Sequence, residues 1–258
     1  MNISDIANGM RANALLYGSG TSTSSVGGSA AAGAITKAFE QADKRVQQQR
    51  DVTSAQLSSF GKLKSSFSDV QGTAKALVNL KADANATDLG KAASAFVTAF
   101  NSAVKTAQSS QTQATSVGES TSARRAGTDL RQTIGNNSSL ADGLKKIGIT
   151  QQADGSLALD STKFQAAVQA DPAALRATVT QLGQQGQALA TRELADTGNV
   201  GSTLKALDNR SRSLQARQAE QQSALASLQA NANSQANAYG NRVATGLAAY
   251  NNIFANGY

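Results

Sequence analysis

Chemistry near neutral pH leans on His and Cys, and this chain of 258 residues contains neither. Without His it lacks the commonest general base and the commonest metal ligand. Without Cys it can form neither a disulfide nor a thiolate metal site. A hydrolytic centre would need a Lys-based variant, yet no Ser-x-x-Lys pairing rises above chance in a chain so rich in Ser. The Gly18-Ser19-Gly20 stretch follows no strand pattern and leads to no Gly-Lys-Ser/Thr, so it is not a phosphate loop. These residue types imply a protein that is not an enzyme, carries no cofactor or metal and has no catalytic residues. Its function must lie in surfaces.

The charge pattern narrows the partners. A formal net charge of +7 arises from 24 Lys and Arg against 17 Asp and Glu. The tight basic pairs are Lys44-Arg45, Arg124-Arg125 and Lys145-Lys146, and aromatic residues do not interleave with them. Scattered charge of this kind belongs to solvated helix faces rather than to a track for phosphates, so no nucleic-acid partner is expected. No window is apolar for long enough to cross a bilayer, so no membrane insertion is expected either. The opening MNISDIANGMRANALLYGSG has no basic region before a sustained apolar core, which argues against a general secretory signal.

What could position such surfaces is long helices. Forty per cent of residues are hydrophobic but only 4% are aromatic; there is no Trp and one Pro. A core built from small side chains is thin, and helices sharing narrow seams suit it. From Ile35, the residues Phe39, Ala42, Val46, Gln49, Thr53, Gln56, Phe60, Leu63, Phe67, Val70, Ala74 and Leu77 follow in alternating steps of four and three. That is the spacing of a coiled-coil seam, with a polar middle. A second seam runs through Leu204, Leu207, Ser211, Leu214, Gln218, Gln221, Leu225, Leu228, Ala232, Gln235 and Tyr239. It continues through Val243, Leu247, Tyr250 and Phe254 after a stutter. If the two helices run antiparallel, Gln49, Thr53 and Gln56 could face Gln218, Gln221 and Ser211. Alternatively, each seam meets another copy of the chain.

Between these helices the pattern changes. Residues 83–90 read as a connector, Lys91–Ser109 as a helix with Phe96, Phe100 and Val104 on one face, and Ser110–Ser122 as a polar loop. Short helices follow at Asp129–Ile134 and Ser139–Ile147, the latter capped by Ser138 or Ser139. Then IGITQQADGSLALDSTKF places Ile147 and Ile149, and Leu157 and Leu159, in alternation on either side of Asp154-Gly155. Asp-Gly accepts the positive φ of a tight turn, so a β-hairpin is expected. Asp160 or Ser161 then caps one helix, and Asp171 caps the next with Pro172 at its first position.

The fold class that follows is mainly α, with long N- and C-terminal coiled-coil-like helices flanking a helical bundle with a small β-hairpin. The expected divisions are a flexible leader over 1–33, a long helix over 34–80 and a helical region over 81–183 with the hairpin at 147–160. A linker over 184–201 and a long helix over 202–258 complete the chain.

Four blocks resemble the flagellar filament cap family, flagellar hook-associated protein 2. They are RVQQQRDVTSAQLSSFGKLKSSFSDVQGTAKAL, SAFVTAFNSAVKTAQ, TDLRQTI with LADGLKKIGITQQADGSLALDSTKFQAAVQADPAAL, and the final Gln/Ala-rich helix. The Ile-Gly-Ile-Thr … Asp-Gly-Ser-Leu … Leu-Asp pattern is the most specific of them. The chain resembles a shortened member, because only Leu80–Ala93 stands where the family usually carries large outer domains. The resemblance implies a structural protein that assembles as a ring-like homo-oligomer at the filament tip and promotes flagellin insertion by packing contacts. It implies flagellin, hook–filament junction proteins and an export chaperone as partners. It also implies an extracellular location reached through the flagellar type III route, with the leader as export signal. Under it, Val46, Phe60, Leu63, Phe67, Val70, Leu204, Leu207, Leu214, Leu225 and Leu228 are the assembly and packing residues. The same residues could instead form only an intramolecular bundle. The alternative function is that of a divergent paralogue, an interaction module binding other flagellar components or an export chaperone.

Overall fold

The computed structural model describes residues 25–81 and 84–255. Among them the chain forms α1 (Ser25–Val78), α2 (Ala86–Gln113), α3 (Val117–Gly135), α4 (Ser138–Lys146), β1 (Ile149–Gln151), β2 (Leu157–Leu159), α5 (Ser161–Ala170), α6 (Pro172–Leu194) and α7 (Asn199–Ala255). The fold is mainly helical with one two-stranded antiparallel hairpin. It divides into two compact units, Val46–Gln218 and the terminal segments Met1–Arg45 with Ala219–Tyr258.

In the Val46–Gln218 unit, one continuous apolar core is built mostly from α1, α2, α3 and α6. Phe60, Leu63, Phe67, Val70, Ala74 and Leu77 of α1 are all buried, as the seam spacing requires. Phe96 and Phe100 of α2, their ring centroids 6.0 Å from each other, join the same core. α1 runs antiparallel to α6 and then to the start of α7: Gly183 lies against Ala74 and Leu77, Gln71 Nε2 donates to Thr191 Oγ1 at 2.8 Å, and Arg50 donates to the Gln218 side chain. The polar middle of the seam departs from the expected ladder. Gln49 is exposed, the Thr53 hydroxyl donates to the Gln49 carbonyl, and the Gln56 amide donates to Thr115. Within the Val46–Gln218 unit α1 is therefore covered by several helices in turn.

Several boundaries differ from the sequence expectation: the connector expected over 83–90 is helical from Ala86, and the short helix expected at Asp129–Ile134 is the end of the longer α3. The leader expected over 1–33 falls outside the described residues up to 24, and from Ser25 the chain is already α1. Ala30, Ala31 and Ala32 favour that early start, since Ala is the strongest helix former. The loop expected over Ser110–Ser122 shrinks to residues 114–116, because Ser116 Oγ accepts the Glu119 N–H and starts α3. The helix α4 is capped by Asn137, whose Oδ1 accepts from Leu140 N at 3.0 Å, and not by Ser138 or Ser139. The linker expected over 184–201 is helical as far as Leu194, leaving only residues 195–198 outside a helix.

In the terminal unit, Ile35, Phe39 and Ala42 of α1 and Leu225 and Leu228 of α7 are half-buried. Further along α7, Val243 and Leu247 are 63% and 60% exposed. Among the described residues no helix is long and apolar enough to cross a membrane.

Candidate functional site

The hairpin is the feature around which the smaller helices gather. Its register pairs Ile149 with Leu159, Thr150 with Ala158 and Gln151 with Leu157. Gly155 adopts φ 85° at the turn, where a side chain would collide with Arg131. Asp154 Oδ1 accepts from the Ser156 N–H at 2.9 Å and the Ser156 hydroxyl at 2.6 Å. Those two bonds, the hydroxyl first, hold the Asp154 carboxyl below the usual carboxylate range. Their contribution to the turn is present above the ordinary Asp pKa and is lost as pH falls through the lowered one.

Ile147, Ile149 and Leu157 are buried and Leu159 is half-buried, so the apolar alternation points into the bundle. The residue that fastens the strand pair is one the sequence reading did not single out. Bonds of Gly148 to Asp160 and of Gln152 to Ser156 leave the main-chain groups of Leu157 on the outer edge of β2. There Asn101 of α2 closes on them: its Nδ2 donates to the Leu157 carbonyl at 2.8 Å, and its Oδ1 accepts from the Leu157 N–H at 2.7 Å. One side-chain amide thus stands in for a third strand. The only sequence signal was an Asn between Phe100 and the apolar pair Ala103-Val104. Replacing Asn101 with Ala leaves both Leu157 groups without their partner, and is expected to cost about 1–3 kcal/mol. Chemical unfolding measures the loss, and faster exchange of the Leu157 amide locates it.

Of the residues expected to carry assembly, Val46, Phe60, Leu63, Phe67, Val70, Leu207 and Leu214 are buried within the single chain. Leu204, Leu225 and Leu228 are half-buried. The basic pairs Lys44-Arg45, Arg124-Arg125 and Lys145-Lys146 are exposed. A groove of about 1030 Å³ runs between α1, α2 and α5, lined by small residues including Gly72, Gly90, Ser94 and Thr98. Its charged lining residues are Asp69 and Lys91. Among the described residues, no group of three or more acidic side chains converges to hold a metal ion.

The arrangement is that of a helical bundle braced by a hairpin whose polar groups serve the fold itself. The chain belongs to the flagellar hook-associated protein 2 C-terminus family, which it matches over residues 67–252. That family is structural, not catalytic, and membership points to a flagellar cap-related role. Comparison with curated proteins and with solved structures returned no match.

Proposed function

We propose that this chain is a small filament-cap-like protein, exported through the flagellar type III route and acting at the filament tip by packing contacts alone. The observation that carries the reading is the family match over 67–252, which spans the hairpin, the helices around it and most of α7. Its partners on this reading are further copies of itself in a ring, flagellin, hook–filament junction proteins and an export chaperone. It works outside the cell, without cofactor, metal, nucleic acid or membrane insertion. The packing residues buried in the Val46–Gln218 unit serve its own interior. The exposed Val243 and Leu247 of α7 supply apolar surface for contacts with neighbours.

One observation favours a second reading, a paralogue that binds other flagellar components or a chaperone. Only residues 79–85 join α1 to α2, and Arg176 closes that connector by donating to the carbonyls of Lys81 and Ala84. The span that carries the outer domains in full-sized members is thus reduced to a tie. Imaging purified protein mixed with short flagellar filaments separates the two readings. Density at one filament end, lost in the surface variant Val243→Asp with Leu247→Asp, is the expected result for a cap. Bare ends at concentrations where a full-sized cap binds would sink it and turn the search to chaperone and export partners.

A further inference from the structure

The chain has two Asp-Gly pairs, Asp142-Gly143 inside α4 and Asp154-Gly155 at the tip of the hairpin. Asp-Gly is open to a reaction with itself, because glycine has no Cβ to keep its amide away from the preceding side chain. The Gly nitrogen attacks Cγ of the Asp: an N–Cγ bond forms, the Cγ–O bond breaks, and water leaves with the amide hydrogen. The cyclic succinimide then takes water back at either carbonyl. Opening at Cγ restores Asp; opening at the main-chain carbonyl gives isoaspartate, with the chain running through Cβ and Cγ.

At the hairpin tip the fold holds the two reacting groups apart. Asp154 is exposed, whereas Gly155 beside it is buried, and a Cβ on it would stand 2.0 Å from Arg131 Cδ. The Gly155 N–H donates to the Gln152 carbonyl at 2.9 Å, and the Gln152 N–H donates to the Ser156 carbonyl at 2.8 Å, which closes the loop. The Asp154 carboxyl meanwhile reaches past Gly155, its Oδ1 accepting from the Ser156 N–H and hydroxyl. Ring closure requires the Gly155 nitrogen to turn from Gln152 onto Cγ and Oδ1 to release Ser156. The Ser156 bonds also favour the ionised carboxyl, which is a poorer electrophile than the acid.

We propose that Asp154-Gly155 is a self-modification site gated by the hairpin: the closed turn preserves the ordinary aspartyl bond, and the open turn permits a succinimide and then an isoaspartate that the turn no longer accepts. The extra main-chain carbon lengthens a loop whose strands are registered with Gln151 opposite Leu157. The pendant carboxylate is shorter and loses its reach to Ser156. Gly155 is pushed from its φ of 85° beside Arg131. A chain isomerised while unfolded therefore refolds without a closed tip next to Leu157, the residue that Asn101 holds.

Holding the full chain at mildly acidic pH, with and without guanidinium chloride, tests the gate. Methylation by an isoaspartyl carboxyl methyltransferase counts the product, and fragment mass spectrometry separates position 154 from position 142. Isoaspartate at 154 is expected to build up in the unfolded chain and to form about tenfold or more slowly in the folded one, because reaction samples only the opened fraction of the turn. Asp154→Asn makes ammonia the leaving group and removes the titrating carboxyl, yet keeps the Oδ1 acceptor; folding is expected to slow its reaction by a similar factor. Isomerised chains returned to native conditions are expected to show faster amide exchange at Ser156 and Leu157, with Phe67 unchanged. Similar rates in folded and unfolded chains, protection that vanishes in Asp154→Asn, or unaltered exchange at Ser156 and Leu157 after isomerisation would overturn the proposal.

Discussion

Phe67→Ala is expected to lower the unfolding free energy by about 3–5 kcal/mol, the usual cost of emptying a buried aromatic site. Phe67 is 0% exposed and belongs to the continuous core of the Val46–Gln218 unit. Long helices meet there around a core with few aromatics, so neighbouring side chains are too small and too well anchored to fill the space left behind. Domains are stable by only about 5–15 kcal/mol, so the loss is a large share of the whole. Urea unfolding followed by helical circular dichroism measures it as a lower midpoint at an unchanged slope. The half-buried Leu225 is the comparison, because truncation of a side chain already partly in water forfeits less apolar burial. A loss under about 1 kcal/mol at Phe67 would mean that this site is filled only when copies assemble.

Gly183→Leu is the second large effect, and two forces compete at that position. Any residue but Pro is a better helix former than Gly, a gain of at most about 1 kcal/mol. Against it, a Cβ at Gly183 would stand 2.7 Å from the Ala74 carbonyl oxygen and 2.9 Å from Leu77 Cβ. The first of those atoms is main chain of a buried helix and cannot swing aside, so α6 must be forced away from α1. Overpacking of this kind costs about 1–3 kcal/mol and occasionally more, which outweighs the propensity gain. The control is Gly72→Ala, where nothing lies within 4 Å of the added Cβ. Propensity acts alone there, and the variant should gain up to about 1 kcal/mol. Thermal unfolding of the pair should shift in opposite directions; a shift upward in both would show that α6 and α1 are not in close contact in solution.

Several elements were legible in the chain because their causes are local. The hairpin needed only Ile147, Ile149, Leu157 and Leu159 in alternation around a turn that Gly155 can make. Asp160 and Asp171 cap α5 and α6 through their own side chains, accepting from Lys163 N and Ala174 N at 3.0 and 2.9 Å. The stripe from Phe60 to Leu77 announced a buried helix face because helical period and apolar spacing coincide.

What the chain alone could not decide was which surface each stripe would meet. Gly183 and Gly186, at the edge of the expected linker, are both helical, since the flexibility they cost is offset by the close approach of α1 and α2. The same seam spacing served equally for a partner copy and for an internal bundle, and only packing assigned Phe60, Phe67 and Leu214 to the interior of one chain. Asn101 gained its role from a residue far along the sequence, Leu157. Local patterns record what a residue does to its own backbone; a hydrogen bond made across helices leaves no spacing behind, and the tertiary structure alone reveals it.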